Sequence, residues 1–224
     1  MNDGELTGQI HTHIAAVQDP DCALHQHVIV PFLNLRRAAA ADGFDLEPQS
    51  SFRDFSRQLT IWNGKFSGQR PMSDATGRPV DVSRLSAPER VDAILLWSAL
   101  PGASRHHWGT DVDVIDGCAA APDYRVQLTP EEFAPGGPFA RLSEWLEKNS
   151  ARFGFFRPFR GVRSGVQPEP WHLSFAPVAE NARRALSPAV LYRAIAAAPL
   201  LGKEEVLSRL EELHTRYVAN IDWP

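Results

Sequence analysis

Two short stretches of this 224-residue chain carry residue types able to hold a metal ion and move a proton. One is Ser104-Arg-His-His-Trp-Gly-Thr-Asp-Val-Asp113; the other is Glu169-Pro-Trp-His172. His106 and Asp113 stand seven positions apart with Gly109 between them, too far for one helical turn and suited to a tight turn feeding a strand. From Asp111 to Ile115 polar and apolar residues alternate, which puts Asp111 and Asp113 on one strand face. His172 sits in a Trp-His-Leu-Ser-Phe run between Pro170 and Pro177 that also reads as a strand. Two neighbouring strands would present His106, Asp113 and His172 to one point. Three protein ligands with a fourth position open is the pattern of catalytic zinc, whereas structural zinc usually closes that position with sulfur.

The ordered pair Ser-x-His-x-x-Gly-x-x-x-Asp and Glu-x-Trp-His resembles the zinc D-alanyl-D-alanine carboxypeptidase family. That family includes the VanY-type DD-peptidases of vancomycin resistance and some phage endolysin peptidases. It shares its fold with the amino-terminal signalling domain of hedgehog proteins. The resemblance implies an α+β fold, a small antiparallel sheet carrying a zinc site with helices packed on its other side. It implies zinc held by His106, Asp113 and His172, lowering the pKa of a bound water towards about 7. Glu169, three residues before His172 and not itself a ligand, is placed to accept that water's proton and then protonate the leaving amine.

The family also carries an Arg with a Gln five residues later, matched here by Arg53 and Gln58. Arg53 is expected to stabilise the oxyanion formed when water adds to the peptide carbonyl; the alternative is a surface arginine at a helix start, where a positive charge has no dipole advantage. Gln58 flanks the site, or is a solvated or packing residue. Ser104 matches the family serine before the first ligand: it hydrogen-bonds substrate or orients the site, or it merely caps the turn. Trp171 and Trp108 are expected as apolar walls, with His107 and Trp108 packing at the pocket's rim. Asp111 departs from the small apolar residue of many relatives. It is either an acceptor that orients a ligand histidine or a surface carboxylate, and stands outside the metal shell.

The positioning elements follow from periodicity and punctuation. Pro31 to Ala41 reads as a helix stopping at Asp42-Gly43, and Phe44 to Ser51 as an extended stretch. Phe55, Leu59 and Trp62 lie at helical spacing. Residues 64–87 form a long polar connection, expected to close over a bound peptide. Ser86-x-x-Glu89 is a capping box for a helix burying Val91, Ile94 and Leu95, and Thr129 to Glu132 is a second cap. Residues 139–150 read as a helix, and Phe153 to Phe159 as a strand-like run. Arg157, Arg160 and Arg163 are either solvated or donors for a substrate carboxylate. Ser187-Pro188 opens a further helix, and Lys203 to Tyr217 repeats apolar residues as an amphipathic stripe with His214 packing at its edge.

Length suits a catalytic domain over residues 1–180 with a helical extension over 181–224 packed on it. A formal charge of −4 points away from nucleic acid and anionic membranes. No apolar run reaches the roughly 20 residues of a membrane helix, and the start lacks a signal-peptide pattern, so a cytoplasmic location is the default expectation. The two cysteines, Cys22 and Cys118, are expected as reduced, partly buried thiols, and the four histidines before residue 28 as part of a solvated terminal segment, the alternative being pairs that chelate a metal from a strand face. The expected function is a zinc D-alanyl-D-alanine carboxypeptidase acting on peptidoglycan stem peptides. Two alternatives stand beside it: an L-alanyl-D-glutamate endopeptidase with the same centre, and a non-catalytic zinc-containing binding module. Retention of Glu169 and Arg53 argues against the module, because neither is needed to hold the metal.

Overall fold

The computed structural model describes residues 1–121, 123–161 and 164–224. The chain opens with α1 (Asp3–Leu6), where Asn2 and Glu5 cap each other reciprocally. A hairpin follows, β1 (Ile14–Val17) against β2 (Cys22–His25). This corrects the expectation of a solvated terminus: Leu6, Leu24, His13 and His25 are all buried. Ile-Ala-Ala-Val and Cys-Ala-Leu-His show no alternation of polar and apolar residues, so the strands left no period-two signal.

Helix α2 (Ile29–Ala41) buries Phe32, Leu35 and Ala39 along one stripe and yields to β3 (Leu46–Ser50). Asp54 caps α3 (Phe55–Phe66), accepting from the Arg57 N–H at 2.7 Å. The predicted box of Ser86 and Glu89 starts α4 (Ala87–Leu95). A 3₁₀ turn, Arg105–Trp108, then delivers the chain to β4 (Asp111–Asp116). After α5 (Pro130–Phe133) and α6 (Ala140–Asn149) come β5 (Phe155–Phe156) and β6 (His172–Phe175). The aromatic run Phe153 to Phe159 thus yields only a two-residue strand, since a 3₁₀ turn takes Phe153 at one end and Pro158, which has no N–H to give a ladder, stands near the other.

Four helices close the chain: α7 (Ala176–Ala185), α8 (Pro188–Ala196), α9 (Lys203–Ser208) and α10 (Leu210–Leu213). Helix α7 was not foreseen. Pro177 reads as a strand terminator, but proline is tolerated in the first turn of a helix, where its missing N–H has no partner to lose. The stripe Val206, Leu210, Leu213, Tyr217 is buried as expected, yet its backbone breaks at Arg209 (φ −113°, ψ 13°) and ends in a π-helical turn.

The four longer-range strands form an antiparallel sheet in the order β3-β4-β6-β5. One face presents Val112, Val114, Leu173 and Phe175 to the buried stripes of α2 and α6. A second core joins Leu6, Trp62, Ile94 and Trp108 to Leu191, Leu213 and Tyr217, so the closing helices share their packing with α1, α3 and α4. Truncating a fully buried tryptophan such as Trp62 to Ala costs about 3–5 kcal/mol. Register puts Asp113 opposite Ser50 on one side and His172 on the other. Among the described residues no helix is long and apolar enough to cross a membrane.

Candidate metal centre and its cleft

Direct cross-strand partners share a sheet face, so β4 and β6 carry Asp111, Asp113, His172 and Ser174 on the face opposite the α2–α6 core. His106 joins them from the 3₁₀ turn. That turn closes at Gly109 in the left-handed region (φ +64°), where a Cβ would fall 2.4 Å from Ile14 Cδ1 and 2.5 Å from the His25 nitrogen. The hairpin of β1 and β2 therefore presses on the turn that carries the histidine. His106, Asp113 and His172 are all buried, and one ligand atom from each lies within 4.8 Å of the others.

Hydrogen bonds set which nitrogen of each histidine faces the cluster. His106 Nδ1 donates to the Ser51 carbonyl at 2.8 Å, leaving Nε2 3.3 Å from Asp113 Oδ2. His172 Nε2 donates to Asp111 Oδ1 at 2.9 Å, leaving Nδ1 3.1 Å from both Asp113 Oδ1 and Glu169 Oε2. With both imidazoles neutral, lone pairs would face a carboxylate that burial has already stripped of water. Asp113 Oδ1 is also buried without a hydrogen bond. A cation held among these atoms would satisfy them, and two nitrogens with a carboxylate oxygen fit zinc. Burial disfavours charge on His172, but Asp111, Asp113 and Glu169 outweigh it and hold its pKa well above the ordinary value. Burial likewise opposes ionisation of Asp113, and the positive charge that His106 and His172 carry when protonated overturns that, holding its carboxyl far below the usual range.

Asp111 is fully buried and not a surface carboxylate. Its oxygens accept from His172, from Arg105 Nε at 2.8 Å, from Thr110 Oγ1 and from Ser174 Oγ at 3.1 Å. The Arg105 guanidinium lies over the Trp108 ring, 4.9 Å from its centroid. Sequence reasoning overlooked Arg105; the only signal was a basic residue inside the histidine motif, six positions before a buried aspartate.

A cavity of about 700 Å³ opens on the cluster. Arg53, Ser104, Glu169, Trp171 and Phe159 line it beside the three cluster residues, as do Ser73, Ala75, Thr76 and Gly77 of the 64–87 connection. Arg53 is held by Gln58 Oε1 (Nη1, 2.9 Å) and Ser50 Oγ (Nη2, 2.8 Å). Its backbone is clamped to the histidine turn: the Arg53 N–H donates to the His106 carbonyl, and His107 Nδ1 meets the Arg53 carbonyl. His107 Nε2 accepts from the Gly102 N–H, so the ring is a neutral donor to Arg53, and burial pushes its pKa down to about 3.

Several residues sit elsewhere than expected. Gln58 is fully buried off the cavity wall, bridging Arg53 to the Ala99 carbonyl at 2.6 Å. Trp108 forms no wall or rim; it is fully buried in the helical core, donating to the Leu6 carbonyl. His107 is likewise buried and not at a rim. Arg157 and Arg160 turn away from the cleft, Arg157 to the Ser143 carbonyl and both to Glu147. Arg163 lies outside the described residues. Trp171 packs on Phe133, with ring centroids 5.6 Å apart. Sequence reasoning passed over Lys65, which lines the cavity; its signal was its place seven residues after Gln58 and four after Ile61 on one face of α3.

Known proteins resemble this chain in sequence and in fold. An uncharacterized protein of Haemophilus influenzae is 40% identical over 121 residues, covering 53% of this chain and 92% of its own length. A D-alanyl-D-alanine carboxypeptidase of Enterococcus faecalis is 32% identical over 152 residues, covering 66% of this chain and 46% of that protein. Among solved structures, VanYB in complex with D-alanine-D-alanine covers 88% of this chain and 90% of its own, with a TM-score of 0.53 and 22% identity. A VanY D,D-pentapeptidase variant in complex with Zn(II), from a VanB-type resistance cassette, aligns with the same TM-score and identity over 88% of this chain and 91% of its own. At that identity the likeness is one of fold, and it is the α+β fold expected. The sequence model of VanY, D-alanyl-D-alanine carboxypeptidase, matches residues 21–178, and the chain belongs to that family.

Proposed function

We propose that this chain is a zinc-dependent carboxypeptidase that removes the terminal D-Ala from peptidoglycan stem peptides ending in D-Ala-D-Ala. The observation that carries the reading is Glu169 Oε2, 3.1 Å from the cluster-facing nitrogen of His172, in a cavity whose wall also holds Arg53. In this reading residues 1–180 are the catalytic part and residues 181–224 a helical extension packed on it.

His106, Asp113 and His172 would hold zinc, which when bound would supply Lewis acidity toward the scissile carbonyl and the attacking water. Glu169 accepts the proton of that water and passes it to the leaving amine. Two of Arg53's five N–H groups are spent on Gln58 and Ser50, which fixes the guanidinium and leaves others for the oxyanion. Ser104 and Trp171 contact the peptide, Ser104 as a polar partner and Trp171 as an apolar wall. Gln58 acts through Arg53 as a positioning residue. The complex of VanYB with D-alanine-D-alanine supports a peptide of this kind as substrate.

The cavity volume, about 700 Å³, keeps a second reading open, an L-alanyl-D-glutamate endopeptidase with the same centre. Mass spectrometry of products from a stem pentapeptide and its carboxy-terminal amide separates the two. The expected result is loss of one D-Ala from the acid, with the amide cut much more slowly. Internal cleavage alone, or equal cleavage of both, would overturn the carboxypeptidase reading.

A further inference from the structure

A carboxypeptidase must hold the free carboxylate of its substrate, and the arginines expected to do so, Arg157 and Arg160, point elsewhere. The cavity wall offers another cation. Lys65 lines it, and its Nζ donates to Ser98 Oγ at 2.7 Å, itself a lining residue. An ammonium carries three N–H donors, and this one spends a single bond on a neutral hydroxyl. Among the described residues no carboxylate comes within ion-pairing distance of it. Burial disfavours the charge, with Glu169 acting from a distance to keep it. A partly buried ammonium without a counter-ion is costly, and an anion in the cavity would offset that cost.

Position along α3 fits the role. Gln58, which anchors Arg53, and Lys65 lie seven residues apart on one helix face, an axial rise of about 10 Å. Arg53, which Gln58 anchors, and Lys65 thus both stand on the cavity wall. The geometry points to Lys65 as the residue that binds the terminal carboxylate of the peptide, with Ser98 holding its side chain in place. The inference rests on the peptidase reading and adds the group that makes a free carboxyl terminus a requirement.

Binding can be measured apart from turnover. Titration calorimetry on the zinc-loaded Glu169→Ala protein would compare N-acetyl-Lys-D-Ala-D-Ala with its carboxy-terminal amide. The acid should bind more tightly. Lys65→Met should weaken the acid about 10- to 100-fold, leave the amide within about 3-fold, and be largely rescued by Lys65→Arg. Ser98→Ala, which keeps the charge but removes its anchor, should weaken the acid alone by a smaller factor. Zinc content and the unfolding midpoint of each variant check the fold. In the otherwise wild-type chain, Lys65→Met should raise KM for the acid more than it lowers kcat. Equal weakening of acid and amide, no weakening of either, or no preference for the acid in the parent overturns the assignment. Release of D-Ala by the wild-type chain is scored separately. No release, alongside Lys65-dependent binding of the acid, would sink the peptidase reading and leave this inference standing.

Discussion

Asp111 Oδ1 lies 2.9 Å from His172 Nε2, on the side of the ring away from Asp113, so a buried carboxylate fixes which nitrogen of this histidine faces the cluster. Asp111 is in turn saturated by Arg105, Thr110 and Ser174. A carboxylate behind a ligand histidine fixes its tautomer and raises its basicity, typically worth 10- to 100-fold in metal affinity. Asp111→Asn should therefore bind zinc about 10- to 100-fold more weakly, as read by competition with a chelator. Undiminished affinity would reduce the Asp111 network to a packing feature.

The three proposed ligands should behave differently. His106, Asp113 and His172 bring one donor each to within 4.8 Å, so elemental analysis should find about one zinc per chain in the wild type. Single Ala variants at the three positions should lose it. Full occupancy in a His106→Ala/His172→Ala double variant would sink the ligand assignment.

Chemistry and metal binding separate at Glu169 and Arg53. Glu169→Ala should retain zinc and lose most turnover, since in the proposed mechanism this carboxylate moves the proton. Arg53→Ala should also retain zinc and lose about 10²–10³-fold in kcat. Gln58→Ala leaves Arg53 its Ser50 contact, so its loss should be smaller, about 10-fold, and should fall on kcat more than KM. Peptidase assays with zinc quantified in parallel decide all three, and an active Glu169→Ala enzyme would refute the mechanism.

How much of this was legible in the sequence depends on what each residue's neighbours are. The cluster was readable because β4 and β6 each show a strand pattern and the turn between His106 and Asp113 requires Gly109. The capping box at Ser86 and Glu89 was readable because it is a purely local device. Gln58 was not, because a polar residue in a helix looks the same whether solvated or, as here, buried between Arg53 and a backbone carbonyl. Arg157 illustrates the reverse: an arginine near the site in sequence whose guanidinium is claimed by Ser143 and Glu147. The amino-terminal hairpin escaped notice because its strands have no alternation and part of its burial comes from residues distant in sequence, Gly109 and Phe52 among them.

The two cysteines should differ in reactivity. Both are free, Cys118 exposed and Cys22 buried, and burial pushes the Cys22 thiol up to about 11, with the Asp21 charge adding to it. At pH 8 only about one Cys22 in a thousand is thiolate, the reactive form. A thiol reagent should modify Cys118 rapidly and Cys22 only on unfolding in denaturant. Two equally fast thiols in the native protein would show that the β2 edge opens readily.

Acid should loosen the hairpin that backs the metal turn. His25 is buried, and its Nδ1 accepts from the His27 N–H at 3.1 Å, so the folded chain needs that nitrogen unprotonated. Burial, followed by the nearby His13 and His27 charges, lowers its pKa to about 4, against about 6.5 in an unfolded chain. Below pH 6.5 the unfolded chain binds a proton that the folded chain refuses. Stability is therefore complete above that pH and is lost as pH falls towards 4. At pH 5 the loss from His25 is on the order of 1–2 kcal/mol, which lowers Tm by several degrees for a chain of this size. His25 also donates its backbone N–H to the Gly109 carbonyl at 2.9 Å, so the loosening is transmitted to the turn carrying His106. Release of a bound metal at acid pH would also lower Tm, so the test compares His25→Gln with wild type, both stripped of metal. Melting each at pH 7.5 and pH 5.0 should show a smaller acid loss in His25→Gln, and an equal loss in the two proteins would rule His25 out as the acid-sensitive group.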